Sequence, residues 1–244
     1  MENSTTQQEK ILVVIPAFNE EERIGAVIGA AKKYLPQAEI LVINDGSTDR
    51  TKEVSLKAGA KVIAHAFNLG YGVAIQTGYK YAVRNNYQYV LQLDGDGQHD
   101  SAFLPQLLSK LKETDNDIII GSRFLSGKKY SGSFVRLIGI IVFRKLVSTL
   151  IHQRVTDPTS GYQGLKKQVI EFYCHDFFPN DYPDADVIFI LHKVGFKIQE
   201  IPVIMYERKG GRSIHSGLSP LYYIFKMMLS LFVNILRKIP DYKI

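Results

Sequence analysis

Asp94, Asp96 and Gln98 occupy alternate positions in Leu93-Asp94-Gly95-Asp96-Gly97-Gln98-His99-Asp100, directly after the apolar run that begins at Tyr89. Two carboxylates at i and i+2, with glycines at 95 and 97, let the backbone turn tightly so that three oxygen ligands converge on one hard cation and a phosphate. An acidic turn would use the same residues. Position favours the ligand site, because a buried strand runs into this cluster and in open α/β sheets ligands sit beyond the carboxyl ends of strands. An EF-hand loop starting at Asp94 would need Gly where His99 stands and Glu where Pro105 stands. No second His or Cys neighbours His99 at zinc-ligand spacing, so the oxygen set points to Mg2+ or Mn2+.

The second chemistry-bearing set is basic. From Arg123 to Arg154 the chain carries Arg123, Lys128, Lys129, Arg136, Arg144, Lys145 and Arg154 and no acid, a local charge of +7. With +6 overall, the other 212 residues sum to −1. An acidic, metal-type cluster beside a basic stretch suggests two anionic partners, one held through a cation and the other directly by Arg and Lys. No RNA- or DNA-binding motif accompanies the stretch, so nucleic acid is not expected. The loop Arg208-Lys209-Gly210-Gly211-Arg212-Ser213 is either a solvated turn or a flexible arm that closes on a phosphate.

At 244 residues and 45% hydrophobic content the chain can bury a sizeable core, as one large α/β domain with or without a C-terminal appendage. The single Cys174 permits no intrachain disulfide. The polar start, Met1 to Lys10, has no apolar core of a secretory signal, and the expected compartment is the cytoplasm.

These groups need a frame, and the pattern supplies one. Ile11 to Ile15, Ile40 to Ile43, Lys61 to His65, Tyr89 to Leu93 and Asp117 to Ile120 read as strands. Helices are expected from Glu20 to Tyr34 with Asn19 as N-cap, up to Gly59, from Val73 to Asn85 and from Asp100 to Glu113. Strict alternation predicts a doubly wound, mostly parallel sheet flanked by helices. Gly70 and Gly72 lack the third glycine of a dinucleotide fingerprint, since Ile75 stands in its place. Later come a turn at Thr156 to Gly161 and a helix from Pro183 to Gly195 with Asp184 and Asp186 in its first turn. A strand from Lys197 to Tyr206 follows, where Pro202 suggests a sheet edge.

Two apolar helices remain. Phe134 to Ile151 is interrupted by Arg136 and Arg144-Lys145, so no run reaches the ~18 apolar residues of a membrane span. It reads equally as a core or dimer helix and as a helix at a membrane surface. The last helix, Leu218 to Lys238, carries a narrow polar stripe of Lys226, Ser230, Asn234 and Arg237 and calls for a large apolar partner, either a homo-oligomer contact or a membrane surface.

With these residues assembled, the chain resembles glycosyltransferase family 2 and, within it, the polyprenyl-phosphate sugar transferases of the dolichyl-phosphate-mannose-synthase type. The landmarks are VVIPAFNE at 13 to 20, INDGSTD at 43 to 49, NLGYGVAIQTG at 68 to 78, LDGDGQHD at 93 to 100, GSRF at 121 to 124, TDPTSGY at 156 to 162 and RKGGRS at 208 to 213. The resemblance implies a GT-A fold over residues 1–215, with residues 216–244 as an amphipathic contact helix. It implies a nucleoside-diphosphate sugar donor, a polyprenyl-phosphate acceptor, transfer with inversion, and a peripheral place on the inner face of the membrane. By similarity, Pro16, Ala17 and Glu20 line the nucleoside pocket and Asp45 contacts the base. Asp94, with Asp96 and Gln98, holds the donor and its metal.

The family's catalytic-base position falls on Asp184, preceded here by Pro183 where many members have Glu. A phosphate acceptor is already anionic and needs positioning more than deprotonation. Ser122, Arg123, Arg136, Arg212 and Ser213 are the residues expected to hold it. Other readings are a family 2 enzyme acting on a saccharide hydroxyl, for which Asp184 is indispensable as base, and a catalytically silent membrane scaffold. A sugar nucleotidyltransferase would need a glycine-rich basic loop where Pro16 to Glu20 stands.

Overall fold

The computed structural model describes residues 9–127, 134–180, 183–206 and 219–237, with side chains from residue 137 in the first late helix and from residue 225 in the last. The basic loop at 208–213, with Arg212 and Ser213, lies outside the described residues, as does the Arg136 side chain.

Among the described residues, seven strands and eight α-helices follow one another as β1 (Ile11–Ala17), α1 (Ile24–Tyr34), β2 (Glu39–Asn44), α2 (Thr51–Lys57), β3 (Lys61–Ala64), α3 (Tyr71–Arg84), β4 (Tyr89–Gln92), α4 (Leu104–Glu113), β5 (Ile118–Ser122), α5 (Phe134–Leu150), β6 (Gln163–Lys166), α6 (Lys167–Tyr173), α7 (Ala185–Val194), β7 (Ile198–Pro202) and α8 (Ser219–Leu236). The strands form one sheet in the order β3-β2-β1-β4-β6-β5-β7. Pairing is parallel except for β6, which runs antiparallel to both β4 and β5.

Strand alternation divides the core between the two faces of the sheet. Leu12, Val14, Leu41, Ile43, Val90 and Ile118 point to the side covered by α3, α5, α6 and α7. Val13, Ile15, Ile40, Val42, Leu91 and Ile119 point to the side covered by α1 and α4. Both faces are apolar, as a mostly parallel central sheet requires. The expected doubly wound sheet is therefore present, and β7 with Pro202 does lie at its edge.

Two local expectations are corrected. Asn19 does not cap α1, which starts only at Ile24; it adopts a left-handed φ of 55°, and its Oδ1 accepts the Thr48 N–H at 2.9 Å, so its side chain serves the neighbouring loop. The strand β6 was not anticipated. Gln163-Gly164-Leu165-Lys166 has no apolar alternation of its own and becomes a strand because it pairs on both sides, with β4 and β5.

The chain winds from β1 outward to β3 and then returns to place β4 on the other side of β1. The crevice outside the carboxyl ends of β1 and β4 is therefore the switch point where such sheets bind ligands.

Candidate active site

The loop after β4 lies across the end of β1. Leu93 donates its N–H to the Val14 carbonyl at 3.2 Å and Gly95 donates to Pro16 at 3.3 Å. A Cβ on Gly95 would come within 3.1 Å of that Pro16 oxygen and 3.3 Å of the Ala17 Cβ, so a larger residue would lift the loop from the strand. Gly97 takes a φ of 76°, and Asp96 Oδ1 accepts the Gln98 N–H at 3.0 Å, closing the turn. Gln98 gives its side-chain N–H to the Tyr206 carbonyl at 3.1 Å, so the ligand atom it can offer is Oε1. Tyr206 N–H returns a bond to the Gln98 carbonyl at 2.8 Å, and its hydroxyl reaches Asp100 at 2.9 Å. The strand arm that leads into the basic 208–213 stretch is thus pinned to the acidic loop.

Asp94 is held from two directions. Its backbone N–H donates to His99 Nδ1 at 3.0 Å, and His99 is buried and stacked on Tyr162 at 4.8 Å. Burial pushes the His99 pKa down to about 4, so the ring is neutral near pH 7 and Nδ1 remains an acceptor. The carboxylate Oδ1 accepts the Tyr71 hydroxyl at 2.9 Å, and Tyr71 in turn accepts the Gln92 side-chain N–H at 2.9 Å. Gln92 Oε1 accepts from Tyr79. Burial and the Asp94 charge hold the Tyr71 phenol well above its ordinary value, which keeps it a donor. Asp184, just ahead of α7, stands close enough for its charge to act on the same hydroxyl.

Gly161 closes this arrangement from behind. A Cβ there would lie 2.6 Å from the Tyr71 hydroxyl oxygen and 3.6 Å from Asp94 Oδ1.

Among the described residues, no three His, Cys, Asp or Glu side chains converge as a metal cage. Two carboxylates and an amide oxygen suit an ion that takes its remaining ligands from substrate phosphates and water.

The loops that follow β1 and β2 are laced together. Asn19 N–H donates to Ser47 Oγ at 2.9 Å, Glu20 N–H to Thr51 Oγ1 at 2.8 Å and Glu21 N–H to Asp49 Oδ2 at 3.1 Å. Glu20 is buried, with Arg23 paired to it at 2.8 Å. Asp45 is buried as well. It accepts the N–H groups of Leu69 and Gly70, each at 2.9 Å, and its Oδ1 lies 2.7 Å from His65 Nδ1. It therefore ties the start of α3 to the end of β2.

Of the residues expected to hold an acceptor phosphate, the two described ones, Ser122 and Arg123, have partners inside the protein. Ser122 has 0% exposure, and its hydroxyl is bonded to Thr156 at 2.6 Å. Arg123 directs its guanidinium inward, with Nε 2.7 Å and Nη2 2.6 Å from the two oxygens of fully buried Asp157. Glu200 on β7 accepts the backbone N–H groups of Thr156 and Asp157, each at 2.7 Å on one of its oxygens, and burial raises its carboxyl above the usual range. The first arginine of the basic stretch is a clamp on the segment 156–161, which ends against Tyr71 and Asp94.

Asp186 is also internal. It is 0% exposed, accepts the N–H groups of Asp184 and Val187 at 3.2 and 2.9 Å, and takes the hydroxyl of Ser230 from α8. Asn234 is buried on the same side, while Phe225, Phe232 and Leu236 are exposed. Two members of the expected polar stripe, Ser230 and Asn234, thus face the protein, because a buried carboxylate on α7 needs a donor there. No described helix is long and apolar enough to cross a membrane.

Sequence reasoning missed Tyr71, Gln92 and His99 as the supports of Asp94. Tyr71 lies inside the NLGYG landmark, where the glycines drew attention away from it.

Known proteins match this arrangement. Dolichol-phosphate mannosyltransferase of Pyrococcus furiosus is 30% identical over 225 residues, spanning 88% of this chain and 62% of that protein. Dolichyl-phosphate hexose transferase of Haloferax volcanii is 28% identical over 204 residues, 83% and 85% of the two chains. The crystal structure of glucosyl-3-phosphoglycerate synthase from Mycobacterium tuberculosis with Mn2+, uridine diphosphate and glucosyl-3-phosphoglycerate superposes with a TM-score of 0.67 at 20% identity, over 94% of this chain and 79% of that one, a likeness of fold. The family model described as glycosyl transferase family 2 covers residues 12–174, from β1 through the acidic loop to the end of α6, and the chain belongs to that family.

Proposed function

We propose that this glycosyltransferase moves a sugar from a nucleoside-diphosphate sugar to the phosphate of a polyprenyl phosphate, inverting the anomeric carbon, at the cytoplasmic face of a membrane. The observation that carries this reading is the sorting of charge along one sheet edge: Asp94 and Asp96 beyond β4, and the acid-free basic stretch beginning at the end of β5. Relatives named for dolichyl-phosphate transfer support the acceptor class.

In this reading Pro16, Ala17 and Glu20 receive the nucleoside, and Asp45 orients the base pocket by holding Leu69 and Gly70. Asp94, Asp96 and Gln98 Oε1 would hold a divalent cation, Mg2+ or Mn2+, which would supply positive charge against the negative charge of the departing nucleoside diphosphate. Tyr71 keeps Asp94 aimed, and neutral His99 keeps its backbone in place. An acceptor phosphate oxygen forms the new bond to the anomeric carbon on one face while the carbon–oxygen bond to the diphosphate breaks on the other. The bonding pair leaves with the nucleoside diphosphate. No proton has to move, because the phosphate nucleophile is anionic near neutral pH.

Residues 1–215 form the catalytic unit in this proposal and 216–244 the membrane contact. Exposed Ile138, Ile141 and Val142 on α5 and Phe225, Phe232 and Leu236 on α8 support an apolar docking face. The test is a donor panel with polyprenyl phosphate in anionic liposomes and Mg2+ or Mn2+, following nucleoside diphosphate release and co-sedimentation. No donor giving acceptor-dependent release would reject the proposal.

The Asp184 charge, which acts on the Tyr71 hydroxyl, favours one second reading, a hydroxyl acceptor with Asp184 as general base. Asp184→Asn separates the two. Activity within about tenfold of the parent is expected for a phosphate acceptor, and a loss of about a hundredfold or more for a hydroxyl.

A further inference from the structure

We propose that Arg144 on α5 receives the acceptor's phosphate through the side-on pair of its guanidinium, Nε–H and Nη2–H; this rests on the lipid-phosphate reading above. Among the described residues, the buried side-chain polar atoms without a hydrogen-bond partner are Asn44 Oδ1 and these two nitrogens of Arg144. They form one edge of the guanidinium fork, the edge whose parallel N–H groups match two oxygens of a phosphate. A buried cationic donor left unpaired destabilises a fold. A ligand anion that completes it accounts for its retention.

Its surroundings suit a phosphate monoester. The guanidinium lies over the Phe124 ring, 4.4 Å from the centroid, which fixes its plane. Phe124 follows Arg123 at the carboxyl end of β5, on the sheet edge that carries Asp94, and the segment from Asp157 to Gly161 touches both places. Arg123 is bonded to Asp157, so among the described residues Arg144 is the cation there with an unpaired edge. No acid lies between residues 123 and 154 to neutralise it locally. Ile141 stands one turn before Arg144 on α5 and is exposed, with exposed Ile138 one turn before Ile141, while Ile140, Phe143 and Val147 are buried in the core. A phosphate at Arg144 would have an apolar track beside it for a prenyl chain.

The experiment titrates the full chain, Arg144→Gln and Arg144→Lys with a short-chain prenyl phosphate, the matching prenyl alcohol and inorganic phosphate, with donor affinity measured alongside by calorimetry. The parent should bind prenyl phosphate about tenfold or more tighter than the alcohol. Arg144→Gln should lose that preference, Arg144→Lys should recover only part of it, and donor affinity should be equal in all three. An undiminished phosphate preference in Arg144→Gln overturns the assignment while leaving the acceptor class standing, and a lowered melting temperature in that variant would then mark Arg144 as a packing partner of Phe124. Inorganic phosphate binding the parent as tightly as prenyl phosphate also overturns it, in favour of a free anion. A parent that does not distinguish phosphate from alcohol overturns the acceptor reading and the role of Arg144 together.

Discussion

At the carboxyl ends of β2 and β4, Asp45 is bonded to two backbone N–H groups and His65, and Asp94 to a tyrosine hydroxyl. At the end of β5, Arg123 is bonded twice to a buried aspartate, whereas Arg144 in the middle of α5 shows an unpaired edge. Both regions are rich in one sign of charge, and in both a charged side chain near the ligand edge is spent on partners within the protein. A charged residue near a ligand edge is therefore a candidate for binding only after its internal partners are known.

The comparison breaks most visibly at Arg123. Arg123→Ala leaves fully buried Asp157 without its cation, so a loss of about 3–5 kcal/mol in denaturant unfolding is expected. A stably folded variant with only a weakened acceptor interaction would return Arg123 to the ligand. Asp96→Ala touches a half-buried loop beyond the strand and should leave stability nearly unchanged while lowering metal-dependent turnover on the order of a hundredfold. Retained donor affinity in calorimetry would place the cation elsewhere.

A smaller effect sharpens the donor side. Gly161→Ala puts a methyl group against the Tyr71 hydroxyl, and Tyr71→Phe removes that hydroxyl; both should cost about tenfold in turnover by releasing Asp94 Oδ1. If Gly161→Ala is silent while Tyr71→Phe is not, the segment 156–161 yields easily and does not position the site.

The smallest effect is a pH dependence. Burial raises the Asp186 carboxyl above its ordinary value, so the folded chain holds that proton more tightly than the unfolded chain does. Stability is then lost as pH climbs from about 4 through the raised folded value. Asp186→Asn keeps an acceptor for the Asp184 and Val187 N–H groups, and it should melt about 2–4 °C above the parent at pH 7, with the gap closing toward pH 4. A gap that widens on acidification would mean the carboxylate is stabilising as an ion.

Much of the sheet and the place of the acidic loop at its edge were legible in the order of residues, for a physical reason. The strands at Ile11, Ile40 and Tyr89 announce themselves by apolar runs, and the sites lie where those runs stop, so Asp94, Asp96 and Gln98 could be placed by chain order alone. Glycines at 95 and 97 marked the turn because only a small residue allows the close approach and the positive φ seen there. What required the tertiary structure was direction. Sequence shows that Ser122, Arg123, Asp186 and Ser230 are polar. It does not show that they point inward, since that depends on partners 34 to 44 residues away in the chain. For the same reason β6 could not be found from its four residues, because two neighbouring strands create its slot. Local pattern sets where the chain turns and which face is apolar. Which charges remain for a ligand is decided only when distant segments meet and satisfy one another's hydrogen bonds.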